Sequence, residues 1–329
     1  MILTSRLIFI LVFFGMAVAN TQAAVVKGKT CAAIQQTINL LPKRGGEVIV
    51  PAGIYNCKSP IIIDRPNISL RGVGTGTVLR LANGANAPVI IMGQAMGVPD
   101  TKTVNVSVSN LMIDGNRRNQ TSECMGGPCS EEFPLRNNGI SIRHCFDCRV
   151  EGVTVHSAAS GGLVTELKSR RLTIRDYRSF DNEFDGLAGY ETEDSIFSGI
   201  HLYDNLAAGF SFDIQFNRNM FNDVVIENSG SVGIFIRDSQ DNIFTNMHIN
   251  NSKQHGVFLA QVDDEADKPA AGQTFTGLMV SGSGGYGVLV NDASCVDTVL
   301  VGAQLIKNQA GCVGEFTSGL VTNVGSVCR

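Results

Sequence analysis

The chain has 329 residues, a formal net charge of −4, 43% hydrophobic and 17% charged residues, 36 Gly, nine Cys and no Trp. That length supports one large core. The weakly acidic balance, with no basic run, speaks against a nucleic-acid partner.

Met1 to Arg6 is a short, singly positive start, followed by the apolar run "LIFILVFFGMAVA" and small residues at Ala17, Ala19, Ala23 and Ala24. This reads as a secretory leader, residues 1–24, cleaved after Ala19, Ala23 or Ala24. The apolar run is about 13 residues, short of the roughly 20 that a spanning helix needs, so no membrane association is expected once the leader is removed. The expected location is secreted, extracellular or periplasmic, with residues 25–329 as a single domain. Cys31 to Pro42 carries Ala33, Ile34, Ile38 and Leu41 at helical spacing and ends at a proline. A short helix there would cap the open end of a stacked core. "GGEVIVPAGIY", "IIIDRPNISLRGVG" and "TVLRLANGANAPVIIMG" then read as the first strands. Strand patterning is lost from Asp114 to Asn137, and a loop of that length inside a regular array is functional or disordered.

From Gly139 a repeat takes over. Gly139, Gly162, Gly186, Gly209, Gly233, Gly256, Gly287 and Gly311 lie 23, 24, 23, 24, 23, 31 and 24 residues apart, each followed by an apolar residue or Cys. Around them apolar and polar residues alternate, as in "NGISIR", "AGFSFD" and "VGIFIR", with a second strand pattern downstream and Asn/Asp turns between. Such a period with strand chemistry predicts an all-β solenoid, a parallel β-helix with two or three short strands per coil. Glycine at a corner permits positive φ. Asn182, Asn205, Asn228 and Asn251 read either as one stacked ladder or as plain turn residues. The 31-residue interval holds Val262 to Gln273, whose Asp263, Asp264, Glu265 and Asp267 offer oxygen ligands for calcium or form a solvated acidic loop. No other cofactor is implied.

All nine cysteines fall after the leader, and export favours their use in disulfides. Cys31 with Cys57 would staple the cap to the first coil. Two of Cys295, Cys312 and Cys328 would pair at the C-terminal end. Cys124, Cys129, Cys145 and Cys148 lie in or beside the insertion, where the Cys-Phe-Asp-Cys run reads as a disulfide before a redox or zinc motif. One cysteine is left over.

Because strand side chains alternate, the residue after each glycine points inward and the second and fourth point outward. The fourth position reads Arg143, Glu166, Tyr190, Asp213, Arg237, Ala260, Asn291 and Glu315 along successive coils. Its first five members offer acids, a phenol and cations in one line, the inventory for acting on a sugar chain. Charges on neighbouring coils also pair for purely structural reasons. The second position holds the small residues Ser141, Val164, Ala188 and Ser211, which leave an open floor, while Phe235 and Phe258 offer stacking surfaces. Arg117, Arg118 and Arg136 of the insertion would form one wall for an anionic ligand. His255, His144, His156 and Lys253 are weaker candidates, His255 reading either as a groove-lining residue or as a solvated turn histidine.

The chain resembles the pectin-lyase-type right-handed parallel β-helix superfamily, its cap helix followed by "GGEVIVPAGIY" being typical of that group. Over about Asn110 to Gln261 it resembles the catalytic modules of mannuronan C5-epimerases, through "NLMIDGNRRN", "LTIRDYRSFDNEFDGL" and "NSGSVGIFIRDS". That family carries a Tyr-Gly-Phe-Asp-Pro-His-Glu run. The matching positions here hold Gly161 for the Tyr, Val164 for the Asp and Glu166 for the His, with Tyr190 replacing a second Asp one coil on. What the resemblance carries over is the place of the site and not its residues. The expected function is a carbohydrate-active enzyme working on an acidic polysaccharide by lyase or C5-epimerase chemistry. Arg143 or Arg237 would neutralise a carboxylate, Tyr190 would move the proton and Glu166 or Asp213 would orient it. Alternatives are an inverting glycoside hydrolase using Glu166 and Asp213, a non-catalytic glycan-binding or structural solenoid, or an enzyme of non-carbohydrate substrate.

Overall fold

A computed structural model describes residues 23–95, 97–125, 135–261 and 268–329. Residues 1–22 of the leader expected over 1–24, Cys129 and the acidic stretch Asp263, Asp264, Glu265 and Asp267 lie outside the described residues. Within the described part the chain is a parallel β-solenoid. One wall is a ten-stranded sheet that takes one strand from each coil, from Ile61–Ile63 to Gly311–Glu315. All its ladders are parallel. The opposite walls are a seventeen-stranded sheet and a short sheet of four two-residue strands. The middle coils thus have three strands where the sequence showed two clear patterns. Two-residue strands such as Cys145–Phe146 and Ser169–Arg170 are too short for alternation to register.

The helix spans Cys31–Leu40 and buries Cys31, Ile34 and Ile38. Thr30 caps it, its side-chain oxygen accepting from the Ala33 N–H at 3.2 Å, which satisfies one of the donors orphaned at a helix start. The strand Ala23–Val25 pairs with Glu47–Ile49, so cleavage after Ala19 leaves this strand whole, whereas cleavage after Ala23 or Ala24 cuts into it. Disulfides join Cys31 to Cys57, Cys145 to Cys148 and Cys312 to Cys328. Cys124 is also disulfide-bonded, and among the described residues the unpaired cysteine is the buried Cys295.

The residue after each of the first seven repeat glycines is fully buried, from Ile140 through Leu163, Leu187, Phe210, Ile234 and Val257 to Val288. From the facing sheet Phe197, Phe221, Phe244 and Phe275 stack coil on coil, with centroids 4.5 to 4.9 Å apart. The glycines themselves serve a different purpose from the one expected. Of the eight only Gly311 has positive φ. The others are glycine because a Cβ has no room. At Gly209 it would meet Ile226 Cγ2 at 2.4 Å and the carbonyl oxygen of Gly233 at 2.8 Å, and at Gly162 it would meet Ser179 Oγ at 2.0 Å. The left-handed corners fall instead to Asp181, Asp204, Asn228 and Asn251, whose short polar side chains tolerate that region.

Two other alignments change. Asn182 and Asn205 point inward and form a ladder, Asn182 Nδ2 donating to Asn205 Oδ1 at 2.8 Å. Asn228 and Asn251 occupy the preceding, outward corner, where Asn251 Nδ2 donates to Asn228 Oδ1 at 3.4 Å. The four asparagines are therefore two columns, because the second pair sits one residue earlier relative to its strand. In the last coil Val290 pairs with Glu315. Glu315 therefore does not follow Asn291, because Gly311 pairs with Tyr286 and not with Gly287.

Replacing Gly209 by Ala is expected to cost about 1–3 kcal/mol, the usual price of overpacking a filled interior. Urea unfolding checks this, and a midpoint unchanged from the parent would contradict the close-approach argument.

Candidate active site

The fourth-position column exists, with Arg143 beside Glu166 and Tyr190 beside Asp213 in register. Its members have different surroundings. A cleft of about 550 Å³ opens on the ten-stranded sheet over the coils of Gly139, Gly162 and Gly186. Val164 and Ala188, second in their strands, form its floor. Arg143, Glu166 and Tyr190 line one side. Asn138, Gly161 and Asp185, each preceding a repeat glycine, line the other. Gly97 and Val98 close one wall, and Arg136 with Phe184 another. The Arg136 guanidinium lies 5.4 Å from the Phe184 ring centroid and pairs with Glu123 at 3.0 Å.

Arg143 is committed to structure. Buried to 4% exposure, it donates from Nε to Glu166 Oε1 at 2.9 Å and from its two terminal nitrogens to the carbonyls of Gln94 and Gly97 at 2.7 and 2.9 Å. It pins the wall to the sheet, leaving little capacity for a bidentate grip on a substrate carboxylate. Arg237 holds Asp213 through Nε at 3.0 Å and also through a terminal nitrogen. Neither Asp213 nor Arg237 lines the cleft. Arg117 is likewise outside it, bonded to Asp181 and Glu183 at 2.7 Å each. Of the insertion's arginines, Arg136 alone reaches the cleft. His255, Phe235 and Phe258 lie farther along the same sheet. His144 and His156 are elsewhere, bonded to Leu167 O and Ser157 Oγ.

Asp185 is the residue that the column reading missed. Its signal was present in "DGLAGY". The residues preceding the repeat glycines are Asn138, Gly161, Asp185, Ala208, Val232, His255, Tyr286 and Ala310, and Asp185 is the sole acid among them. Burial pushes its carboxyl up to about 6, against the N–H of Ala208 bonded to it at 2.9 Å and the field of Arg136. Tyr190 is pushed up to about 12, first by burial and then by the negative charges of Asp185, Asp213 and Glu166, with Arg136 acting the other way. Burial also raises Glu166, outweighing Arg143. Near neutral pH the cleft therefore holds an un-ionised phenol and a carboxylate of unusual basicity, both within the influence of one cation.

These features define a right-handed parallel β-helix with a sheet-face cleft. A family model described as the right handed beta helix region matches residues 138–300. Mannuronan C5-epimerase AlgE2 of Azotobacter vinelandii is 28% identical over 220 residues, which cover 64% of this chain and 21% of that protein. Alginate lyase 7 of the same organism is 27% identical over 187 residues, 54% of this chain and 21% of that one. The chain thus spans about a fifth of the length of these curated relatives. Among solved structures, the A-module of mannuronan C-5 epimerase AlgE6 from A. vinelandii superposes with a TM-score of 0.64 at 18% identity, over 90% of this chain and 94% of that one.

The Asp185 shift has a consequence for stability. A carboxyl whose folded pKa lies above its unfolded value binds more protons when folded. Its contribution is therefore most favourable below about pH 4 and is lost as pH rises towards about 6. Asp185→Asn keeps an oxygen acceptor for the Ala208 N–H and removes the buried charge. It is expected to gain roughly 1–2 kcal/mol over the parent at pH 8, allowing for partial solvation, and little at pH 4. Thermal melts at both pH values check this, and an equal difference at the two would refute it.

Proposed function

We propose that this protein is a secreted enzyme acting on an acidic polysaccharide by removing the C5 proton of a uronate residue, as a lyase or a C5-epimerase. The observation that carries the reading is the shared cleft of Asp185, Tyr190 and Arg136, in which a basic carboxylate and a neutral phenol sit near one cation. Relatives that include mannuronan C5-epimerases and an alginate lyase support it, and the disulfides fit an oxidising compartment. Among the described residues no helix is long and apolar enough to cross a membrane.

In this reading Arg136 binds the uronate carboxylate and offsets the negative charge that grows on it as C5 loses its proton. Asp185, ionised above about pH 6, is the base and takes the proton. Tyr190, held protonated, is the acid. For a lyase, the electron pair left at C5 becomes the C4–C5 double bond, the C4–O4 bond breaks, and O4 leaves with the Tyr190 proton. For an epimerase, Tyr190 returns a proton to C5 from the opposite face and no bond to O4 breaks. Solvent then reprotonates Tyr190 and takes the proton from Asp185. Glu166 and Arg143 hold the wall and its charge balance. The inverting-hydrolase assignment to Glu166 and Asp213 has less support, since Asp213 is bonded to Arg237 outside the cleft lining.

Incubation with polymannuronate, polyguluronate and polygalacturonate tests the reading. Unsaturated ends read by absorbance mark a lyase, and deuterium entering C5 from heavy water marks an epimerase. New reducing ends without either would place the protein among hydrolases instead. Turnover is expected to rise through about pH 6 and then level off, since the phenol stays protonated well beyond neutrality. A rate that kept climbing above pH 9 would make Tyr190 the base and sink the Asp185 assignment.

Tyr190→Phe is expected to lower kcat by roughly 10²–10⁴-fold, the scale of acid–base catalysis. Because the phenol is at the surface of the sheet, folding is expected to survive, as circular dichroism would show. Full activity in a folded Tyr190→Phe variant would reject the phenol as proton donor.

A further inference from the structure

The groove floor does not end at the cleft. The second position of successive strands runs Val164, Ala188, Ser211, Phe235 and Phe258, in register from coil to coil. It is covered closely at Val164 and Ala188 and becomes partly solvent-facing from Ser211 onward. The column that supplies Asp185 continues through Ala208 and Val232 to His255 and Tyr286. Beyond the cleft, the two columns bring four partly exposed rings together. Phe235 and Phe258 have centroids 5.6 Å apart, His255 and Phe258 5.7 Å, and His255 and Tyr286 6.1 Å, with planes within 24° of parallel.

The chemistry of this patch differs from that of the cleft. Its cation, Arg237, lies over Phe235 at 5.5 Å and is bonded to Asp213. The four rings themselves carry no formal charge when His255 is neutral. His255 Nδ1 accepts the Tyr286 backbone N–H at 3.0 Å, so the ring proton of the neutral imidazole is on Nε2, available as a donor. Burial lowers the His255 pKa, in keeping with the neutral form. An apolar platform with one fixed N–H donor fits the face of a pyranose ring, which offers C–H groups to the aromatics and hydroxyls at its rim.

We infer that Phe235, Phe258, His255 and Tyr286 form a distal sugar-binding subsite that takes the same glycan chain whose uronate reacts in the cleft, making the protein selective for long chains. The inference rests on the proposed function for the nature of the chain. Its geometry is independent of that reading. The platform coils of Gly233 and Gly256 lie two and three coils beyond that of Tyr190, roughly 10 and 14 Å along the axis at ~4.8 Å per coil. One coil spacing is close to the length of one sugar unit. A chain lying along the floor therefore reaches the platform about two or three units from the reacting residue, and a disaccharide held in the cleft falls short of it. The connecting floor positions, Ala188 and Ser211, are small enough to let the chain pass.

Turnover of chains of defined length, with the parent and with Phe258→Ala and Phe235→Ala/Phe258→Ala variants of the full protein, tests this. For chains of six or more units the double variant is expected to raise KM about tenfold or more, a loss equivalent to roughly 1.4 kcal/mol, with kcat little changed. For dimers the parent and the variants should match. Equal losses for dimers and long chains would overturn the inference, as would no loss for either. Should no polyuronate be turned over, the catalytic reading fails by itself. The platform is then judged by calorimetric titration of a panel of neutral and acidic hexasaccharides and disaccharides. Hexasaccharide binding weakened in the double variant, with disaccharide binding unaffected, upholds the subsite. Hexasaccharide binding that is absent in the parent or unchanged in the variant rejects it. Circular dichroism of the variants separates lost binding from lost fold.

Discussion

The structure depends on the contact between one coil and the next. Parallel backbone ladders hold successive coils about one strand spacing apart, and at the repeat glycine the backbone comes so close to its neighbours that a side chain is excluded. Gly139, Gly162, Gly186, Gly209, Gly233 and Gly256 each have a carbonyl oxygen of the next coil within about 3 Å of where a Cβ would lie. That tight start fixes register. With register fixed, the residue after each glycine must enter the core, and every later residue of the strand falls into a column shared by all coils. The stacked phenylalanines inside and the mixed polar columns outside are two results of one constraint.

The same constraint explains how an outer sheet face can become a site. A bare sheet face is solvated, and its acids would keep ordinary pKa values. Here Gln94 and Gly97 are drawn over the sheet by Arg143, while Phe184 and Arg136 rise on the other side. Asp185, Glu166 and Tyr190 are thereby partly withdrawn from water while still facing a cavity. Burial, more than any single neighbour, shifts all three. The arginine most conspicuous in the column therefore serves as a tether. Arg136, on the far side of the insertion, is the cation that the acid and the phenol both feel.

Farther along, the wall that covers the cleft is gone and aromatic residues occupy the floor. The change from Val164 and Ala188 to Phe235 and Phe258 occurs within one column, so the groove changes character without any change of backbone. In a solenoid this is easily arranged, because each coil contributes its side chains independently.

The repeat, the inward column, the capping helix and the Cys31–Cys57 staple were all legible in the sequence. Each rests on a local rule: period, alternation, helical spacing or proximity along the chain. So was the fourth-position line from Arg143 to Arg237, because strand alternation alone defines it. Register errors arose where a coil departs from its neighbours by one residue, as at Asn228 and at Gly311, since a pattern of glycines cannot show a slip. The third, two-residue strands were invisible because alternation needs more length. Which members of the columns share a cleft was decided only by the tertiary structure. Asp185 lies just before the strand Leu187–Tyr190 and Tyr190 at its end, and the two look unrelated in the sequence. They become one site because Gly97 and Val98, after Met92, and Arg136, near the end of the insertion, wall in the sheet beside them and reduce its contact with water, and burial of that kind is a property of the folded surface and not of any short stretch of chain.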